Sequence, residues 1–465
     1  MDDRIELIAH LMRRVGVGET RDELEKLIER PYENLVEDLL NTDELIDPDQ
    51  DVLSRYLPAG SLATEVMSTP GSRWIYNMAN GPRPLREKMA LFWHHVFATA
   101  YHKSAHARAM TAQIELFREN GLGNMREILL DLSRSPVMID WLDNSENHAD
   151  AVNENYGREL LELFSIGIGS YTEDDVKAVA RAFTGWTFRQ PWPRYPYSEG
   201  VTPVFTFDAT DHDSAEKTFL GRTIVDGEDV IEILVKEEAC ARFICRHLYN
   251  FFVADESGVP SWSETPPLDQ AAIDILAAKF MESDGDIREV MRTLLNSDFF
   301  KAARFTRVKS PAEFVGGVIK LAGAPKFPDF SVTNLSPAAA LMGQSLMNPA
   351  SVEGWHTGAE WLDSGTLTER VNFAVKNVTD VTQPGIALIV ARVAAAGDAT
   401  PNEFVDRCLD FCGPLDFSDH SRATLVEFAE EGGPLSFDNG ASEEAAVRIG
   451  RMVQLIVSAP EYQFA

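Results

Sequence analysis

Apolar residues recur along most of this chain at intervals of three and four, the spacing of helices that bury one face. Ile5–Val15 shows the pattern first and ends at GVGET. There Thr20 opens the next helix with Glu23 three positions on, a capping-box spacing. Leu85–Phe117, beginning LREKMALFWHHVF, reads as one long helical run. Further helices are predicted over Asn124–Leu132, Val230–Phe252, Asp269–Met281, Asp286–Leu295, Pro311–Leu321 and Glu443–Val457. Pro136 after Ser135 marks another helix start, because proline fits the first helical position. No repeat of fixed period and no series of alternating strands interrupts the pattern.

The period fails over 187–229, where RQPWPRYPYSEGVTPVFTFDATDHD interleaves prolines with aromatics. Proline blocks regular helix. This stretch therefore reads as a long loop or flap, with short strands or a hairpin near Val204–Phe207 and Arg222–Val225. A second irregular stretch, from Ala324 to about Leu367, contains GWHTGAEW. The predicted fold is all-α, a bundle-like helical array with one Pro- and aromatic-rich loop region carrying a short hairpin. It is read as one unit over 1–465, with a subdivision into 1–186, 187–229 and 230–465.

Composition narrows the function. With 465 residues, 45 % of them apolar, the chain can bury a large core. Its 73 acidic against 42 basic residues give a net charge of −31. A nucleic-acid partner is therefore excluded, since phosphate contacts need a basic face, and an anionic membrane surface would repel the chain. No segment has the roughly 18 uninterrupted apolar residues of a membrane span. The start, MDDRIELIAHLMRRVGVGET, lacks a signal-peptide run, so a cytoplasmic location is expected. Cys240, Cys245, Cys408 and Cys412 complete no zinc pattern and read as reduced core thiols, with Cys408 and Cys412 one helical turn apart.

Polar chemistry concentrates in Asn153–Trp186, NENYGRELLELFSIGIGSYTEDDVKAVARAFTGW. At about 100° per residue, Asn155, Arg158, Glu159 and Glu162 share one stripe, while Tyr156, Leu160, Leu163 and Phe164 fall outside it. Gly167 and Gly169 end the helix. Thr172 caps the next one with Asp175 at its third position. Arg181 finds no partner on its own helix, so a partner must come from elsewhere in the fold. The polar stripe is expected to face inward, toward a site or a buried network.

These residues resemble the signature of a large bacterial family known as domain of unknown function 1800. AHLMRRVGVGET, REKMALFWHHVFAT, FRENGLGNMREILLDLSRSPVMIDWLDNSEN, FTFDATDHDSAEKTFLG, VKSPAEFV, EGWHTGAEWLDSGTLTERVNF and SAPEYQF resemble its other motifs, so the likeness runs over essentially the whole chain. It implies a mainly helical fold and no established activity. Relatives often look exported, and their genes often neighbour a family resembling sulfatases and alkaline phosphatases. A sulfatase-like protein encoded nearby is the partner this implies. The chain departs from the family pattern in FWHHVF, where Val96 stands in place of a second His and His95 in place of an Asn.

The candidate chemistry follows. His94, on an apolar helix face, reads either as a core histidine or as a ligand or general base oriented by Glu159 or Glu162. Together the three are the candidate set for a divalent metal. His102 and His106 have the one-turn spacing of a weaker metal pair. His212 and Asp213, flanked by Asp211 and followed by Lys217, form a second acid/base candidate. Asn155, Arg158, Lys217, Trp355, Arg370 and Asn372 are candidate substrate-binding groups: arginine suits carboxylate, sulfate or phosphate, and tryptophan suits a sugar face. Lys309-Ser310-Pro311-Ala312-Glu313 reads as a helix start. The expected site lies among the His94 helix, the Asn155–Glu162 helix, the His212 loop and the Trp355–Arg370 segment. One reading is a metal-assisted or acid/base enzyme acting on a polar, carbohydrate-like or sulfated molecule. The other is a non-catalytic scaffold or partner protein whose polar motifs are structural networks.

Overall fold

A computed structural model describes residues 3–42, 45, 55, 68–189, 202–323, 330–437 and 440–465. The fold is mainly all-α, with two small two-stranded antiparallel sheets among the described residues. The chain forms two compact units, each assembled from separate stretches: 1–87, 298–346 and 357–465 in the first, 88–297 and 347–356 in the second. No helix among the described residues is long and apolar enough to cross a membrane.

In the first unit, helix Pro311–Ala322 packs on helices Ser68–Asn80, Leu335–Leu341, Ser364–Val378 and Pro384–Ala395. Its start is the one that KSPAE predicts. Pro311 sits at the first position, and Ser310 and Glu313 form a capping box. Glu313 also takes a buried pair of bonds from Arg307 Nη1, at 2.8 and 2.9 Å. That carboxylate therefore satisfies both a helix end and a buried cation.

The second unit holds the polar signature. Helix α1 (Pro84–Val96) begins in the first unit and ends in this one, followed by α2 (Asn155–Glu162) and α3 (Glu173–Ala182). Then come β1 (Trp186–Arg189), β2 (Val204–Phe207), β3 (Lys217–Phe219) and β4 (Arg222–Ile224). Helices α4 (Glu238–Phe252) and α5 (Gln270–Glu282) lie side by side after them. An aromatic core forms where Trp93 stacks on Phe97 at 5.0 Å and Phe92 meets Phe251 at 5.4 Å. Thr172 caps α3 as predicted, and with Asp175 it forms a full capping box.

Two expectations change. The run Leu85–Phe117 is broken: α1 ends at Val96, Ala105 takes a positive φ of 47°, and His106 caps a new helix, Ala107–Asn120, by accepting from the Ala109 N–H. His102 instead bonds Asn348, so His102 and His106 do not share one helix. The strands Val204–Phe207 and Arg222–Ile224 both form, but each pairs with another strand: β2 with β1, and β4 with β3. Residues 190–201 of the Pro-rich loop and 324–329 of the second irregular stretch lie outside the described residues.

Asparagines fasten the turn before α2 to the end of α3. Buried Asn147 donates to the Ala180 carbonyl at 2.8 Å and accepts from the Asn153 N–H at 3.0 Å. Asn144 donates to the Phe183 and Trp186 carbonyls at 3.2 and 2.9 Å. Gly157 lets the helices touch, since a Cβ there would lie 3.0 Å from the Ala180 nitrogen. Asn147→Ala strands these buried groups and is expected to cost about 1–3 kcal/mol in denaturant unfolding. A loss below about 0.5 kcal/mol would remove the network from this role.

Candidate functional site

The polar stripe of α2 splits in two. Asn155 donates to the Leu142 carbonyl at 3.1 Å, and its N–H bonds Asn153 Oδ1 at 3.0 Å, so it is spent on starting the helix. Arg158 grips Glu173 of α3 with two bonds, at 2.9 and 2.7 Å, and reaches Glu154 at 3.3 Å. Glu159 and Glu162 point the other way and line a cleft of about 430 Å³.

Three elements build the opposite wall. Helix α4 contributes Arg242, Phe243 and Arg246, and the loop after it contributes Trp262. The loop is pinned by a buried ion pair, Arg246 Nε to Glu256 at 2.6 Å, with side chains 8 % and 1 % exposed. Arg246 Nη1 also donates to the Thr265 carbonyl at 3.0 Å, and its guanidinium lies 4.4 Å from the centre of the Trp262 ring. Arg246 Nη2 is buried with no bonded partner among the described residues. The third element is the turn Ser351–Gly354, which places Glu353 in the cleft. Gly354, at φ 91°, is required there: a Cβ would lie 2.5 Å from the His95 carbonyl oxygen.

Electrostatics single out Glu159. No bonded partner for its carboxyl is present among the described residues, and burial pushes its pKa up to about 7, helped by the neighbouring charges of Glu162 and Glu353. Arg158 opposes this, but its guanidinium is committed to Glu173. Glu162 accepts from the Tyr171 hydroxyl at 3.1 Å. The cleft thus places one carboxyl that holds its proton near neutrality beside two further carboxyl groups.

Behind Glu353 lies a layer of histidines and tryptophan. Trp355 is stacked on His95 at 6.1 Å and meets His94 edge-on at 5.2 Å. The Trp355 backbone N–H donates to His95 Nδ1 at 3.4 Å. Burial, with His95 nearby, pulls His94 down to about 3, so it is a neutral ring. His247 of α4 is also driven well below its ordinary value by burial and by His95. It packs on Trp262 at 4.6 Å and Phe243 at 4.8 Å. Neither the expected set His94, Glu159 and Glu162 nor any other group of three His, Cys, Asp or Glu among the described residues is placed to hold a metal ion.

The remaining candidates are placed elsewhere. His212 Nδ1 meets the Thr184 carbonyl at 2.9 Å, and Asp213 pairs with Arg181 at 2.7 Å, which is the partner Arg181 needed from outside its helix. Lys217 donates to the Asp213 and Val225 carbonyls, and burial lowers its pKa. These bonds tie the loop after β2 to α3 and to the β3–β4 ribbon. Arg370 and Asn372 belong to the first unit: Arg370 is fully buried and donates to the Lys309 carbonyl at 2.8 Å, while Asn372 is exposed. Arg246, His247, Trp262 and Glu256 were not singled out in the sequence. Their one signal is the adjacent Arg-His pair in the middle of the amphipathic α4.

No curated protein and no solved structure matches the chain. A family described as "Protein of unknown function (DUF1800)" matches residues 10–464. Nearly the whole chain is spanned by that match, and the protein belongs to the DUF1800 family.

Proposed function

We propose that the cleft of the second unit is an acid/base site for a neutral, hydroxyl-rich molecule, with Glu159 carrying the transferable proton. What supports this reading is one observation: a half-buried carboxyl without a bonded partner, beside Glu162 and Glu353, at the wall of a cleft of about 430 Å³. Structural networks satisfy their buried polar groups; here one is left open toward solvent-filled space. A carboxyl protonated near neutrality can protonate a leaving oxygen, and an ionised neighbour can activate water. Phe243 and Trp262 supply apolar surface for a ring. Three carboxyl groups disfavour a sulfated ligand, so the carbohydrate-like branch of the expectation is the one retained. The structural reading accounts for Asn155, Arg158, His212, Asp213 and Lys217, all bonded within the fold, but not for Glu159.

A panel of aryl glycosides and oligosaccharides, screened by release of chromophore and by ligand-observed NMR, tests this. Turnover is expected in the wild-type chain, with Glu159→Gln slower by roughly 10²–10⁴-fold and Trp262→Ala weakening binding. Absence of any saturable ligand in the panel would sink the proposal. A second test needs no substrate. The folded pKa of Glu159 is raised from 4.5 to about 7. The stability linked to it is therefore fully present below about 4.5 and lost as pH rises through 7. Glu159→Gln is expected to melt at or above the wild-type temperature at pH 8. A marked fall in melting temperature there would favour the scaffold reading. Carbon-13 NMR of the glutamate carboxyls is expected to show the Glu159 titration moving down in Glu162→Gln.

A further inference from the structure

The first unit has a cavity of its own, about 70 Å³, lined by Arg13, Lys309, Tyr462 and apolar groups that include Leu24, Ile389 and Phe411. Its other cations already have carboxylate partners. Lys320 meets Glu19 at 2.5 Å, Arg21 meets Glu25 at 3.1 Å and also Asp410, and Arg392 meets Glu25 at 2.8 Å and also Asp22. Lys309 and Arg13 differ. Lys309 Nζ donates to the Tyr462 carbonyl at 2.7 Å and sits 4.1 Å from the Tyr462 ring centre. Arg13, only 9 % exposed, reaches the Pro414 carbonyl at 3.5 Å and lies over Phe305, and its Nε has no bonded partner among the described residues.

No carboxylate among the described residues pairs with either cation. Glu313 is spent on Arg307 and on the Ser310 N–H. Glu6 is spent on Arg304, at 2.8 Å. Arg370, also buried, adds a third positive charge by donating to the Lys309 carbonyl. Burial and the guanidiniums of Arg13 and Arg370 bring the Lys309 amine down to about 7, against the opposing pull of Glu313. Buried positive charge without a counter-ion is costly. An anion would relieve it, and the apolar lining selects which anion.

We propose that this pocket binds a small aliphatic carboxylate, its oxygens on Lys309 and Arg13 and its alkyl stem among Leu24, Ile389 and Phe411. Its size admits a handful of water-sized groups, which fits a chain of about four carbons. Calorimetric titration of the full-length protein tests this with butyrate, and with butyramide and inorganic phosphate as controls. Butyrate is expected to saturate, butyramide to show no binding because it lacks the charge, and phosphate to bind more weakly because it lacks the stem. Lys309→Met and Arg13→Met are each expected to weaken butyrate by roughly tenfold or more. Circular dichroism would establish that both variants are folded. If either variant fails to fold, the comparison of butyrate with butyramide on the native chain decides alone. No saturation with butyrate, equal binding of butyramide, phosphate binding as tightly as butyrate, or full affinity in a folded variant would each overturn the proposal.

Discussion

The second unit depends on one close contact, the backbone of α2 against the backbone of α3 at Gly157 and Ala180. Any side chain at 157 would wedge the helices apart, and the asparagines that fasten the turn before α2 to the end of α3 would lose their carbonyl partners. This contact fixes the rotation of α2. Given that rotation, Tyr156, Leu160 and Leu161 must be buried, Arg158 must fall beside Glu173, and Glu159 and Glu162 must face the cleft.

The polar residues of the signature divide their work. Asn144, Asn147, Asn153 and Asn155 hold chain segments through backbone carbonyls and N–H groups, where an amide can donate and accept at once. Carboxylates can only accept when ionised, and among the described residues Glu159 has nothing to accept from. The fold satisfies Glu256 completely, with Arg246 and the Leu268 N–H, only a short distance along the chain from the same cleft. Of the two, only Glu159 lines the cleft.

The local parts of the fold were legible in the sequence. The cap at Thr172, the helix start at Lys309–Glu313 and the apolar faces of the helices are short-range features, set by residues within one or two turns. Long-range pairing was not legible. The strand partners of Val204–Phe207 and Arg222–Ile224 depend on which segments the turns bring together, and period-two patterning in three or four residues cannot choose between them. The break at Ala105 was hidden because alanine carries no turn signal. The candidate site was half legible. The stripe through Glu159 and Glu162 was visible, but which of its members would be claimed by Glu173 or by Leu142 depended on the crossing of two helices. The α4 wall carried almost no signal, because Arg246 and His247 interrupt an apolar run in the way a snorkelling surface pair would.

The cysteines carry a consequence of their own. Cys240 and Cys245 lie fully buried on α4, the helix that forms the cleft wall, and burial pushes Cys240 up to about 12 and Cys245 higher than its ordinary value. In the first unit Cys408 is buried in the same way, whereas Cys412 is partly exposed. A thiol in that state does not react while its helix stays packed. Each unit therefore carries an internal clock, silent in the closed state and advanced only when the surrounding helices part. The rates at which Cys240 and Cys245 on one side and Cys408 on the other take up an alkylating reagent would count the openings of one unit against those of the other.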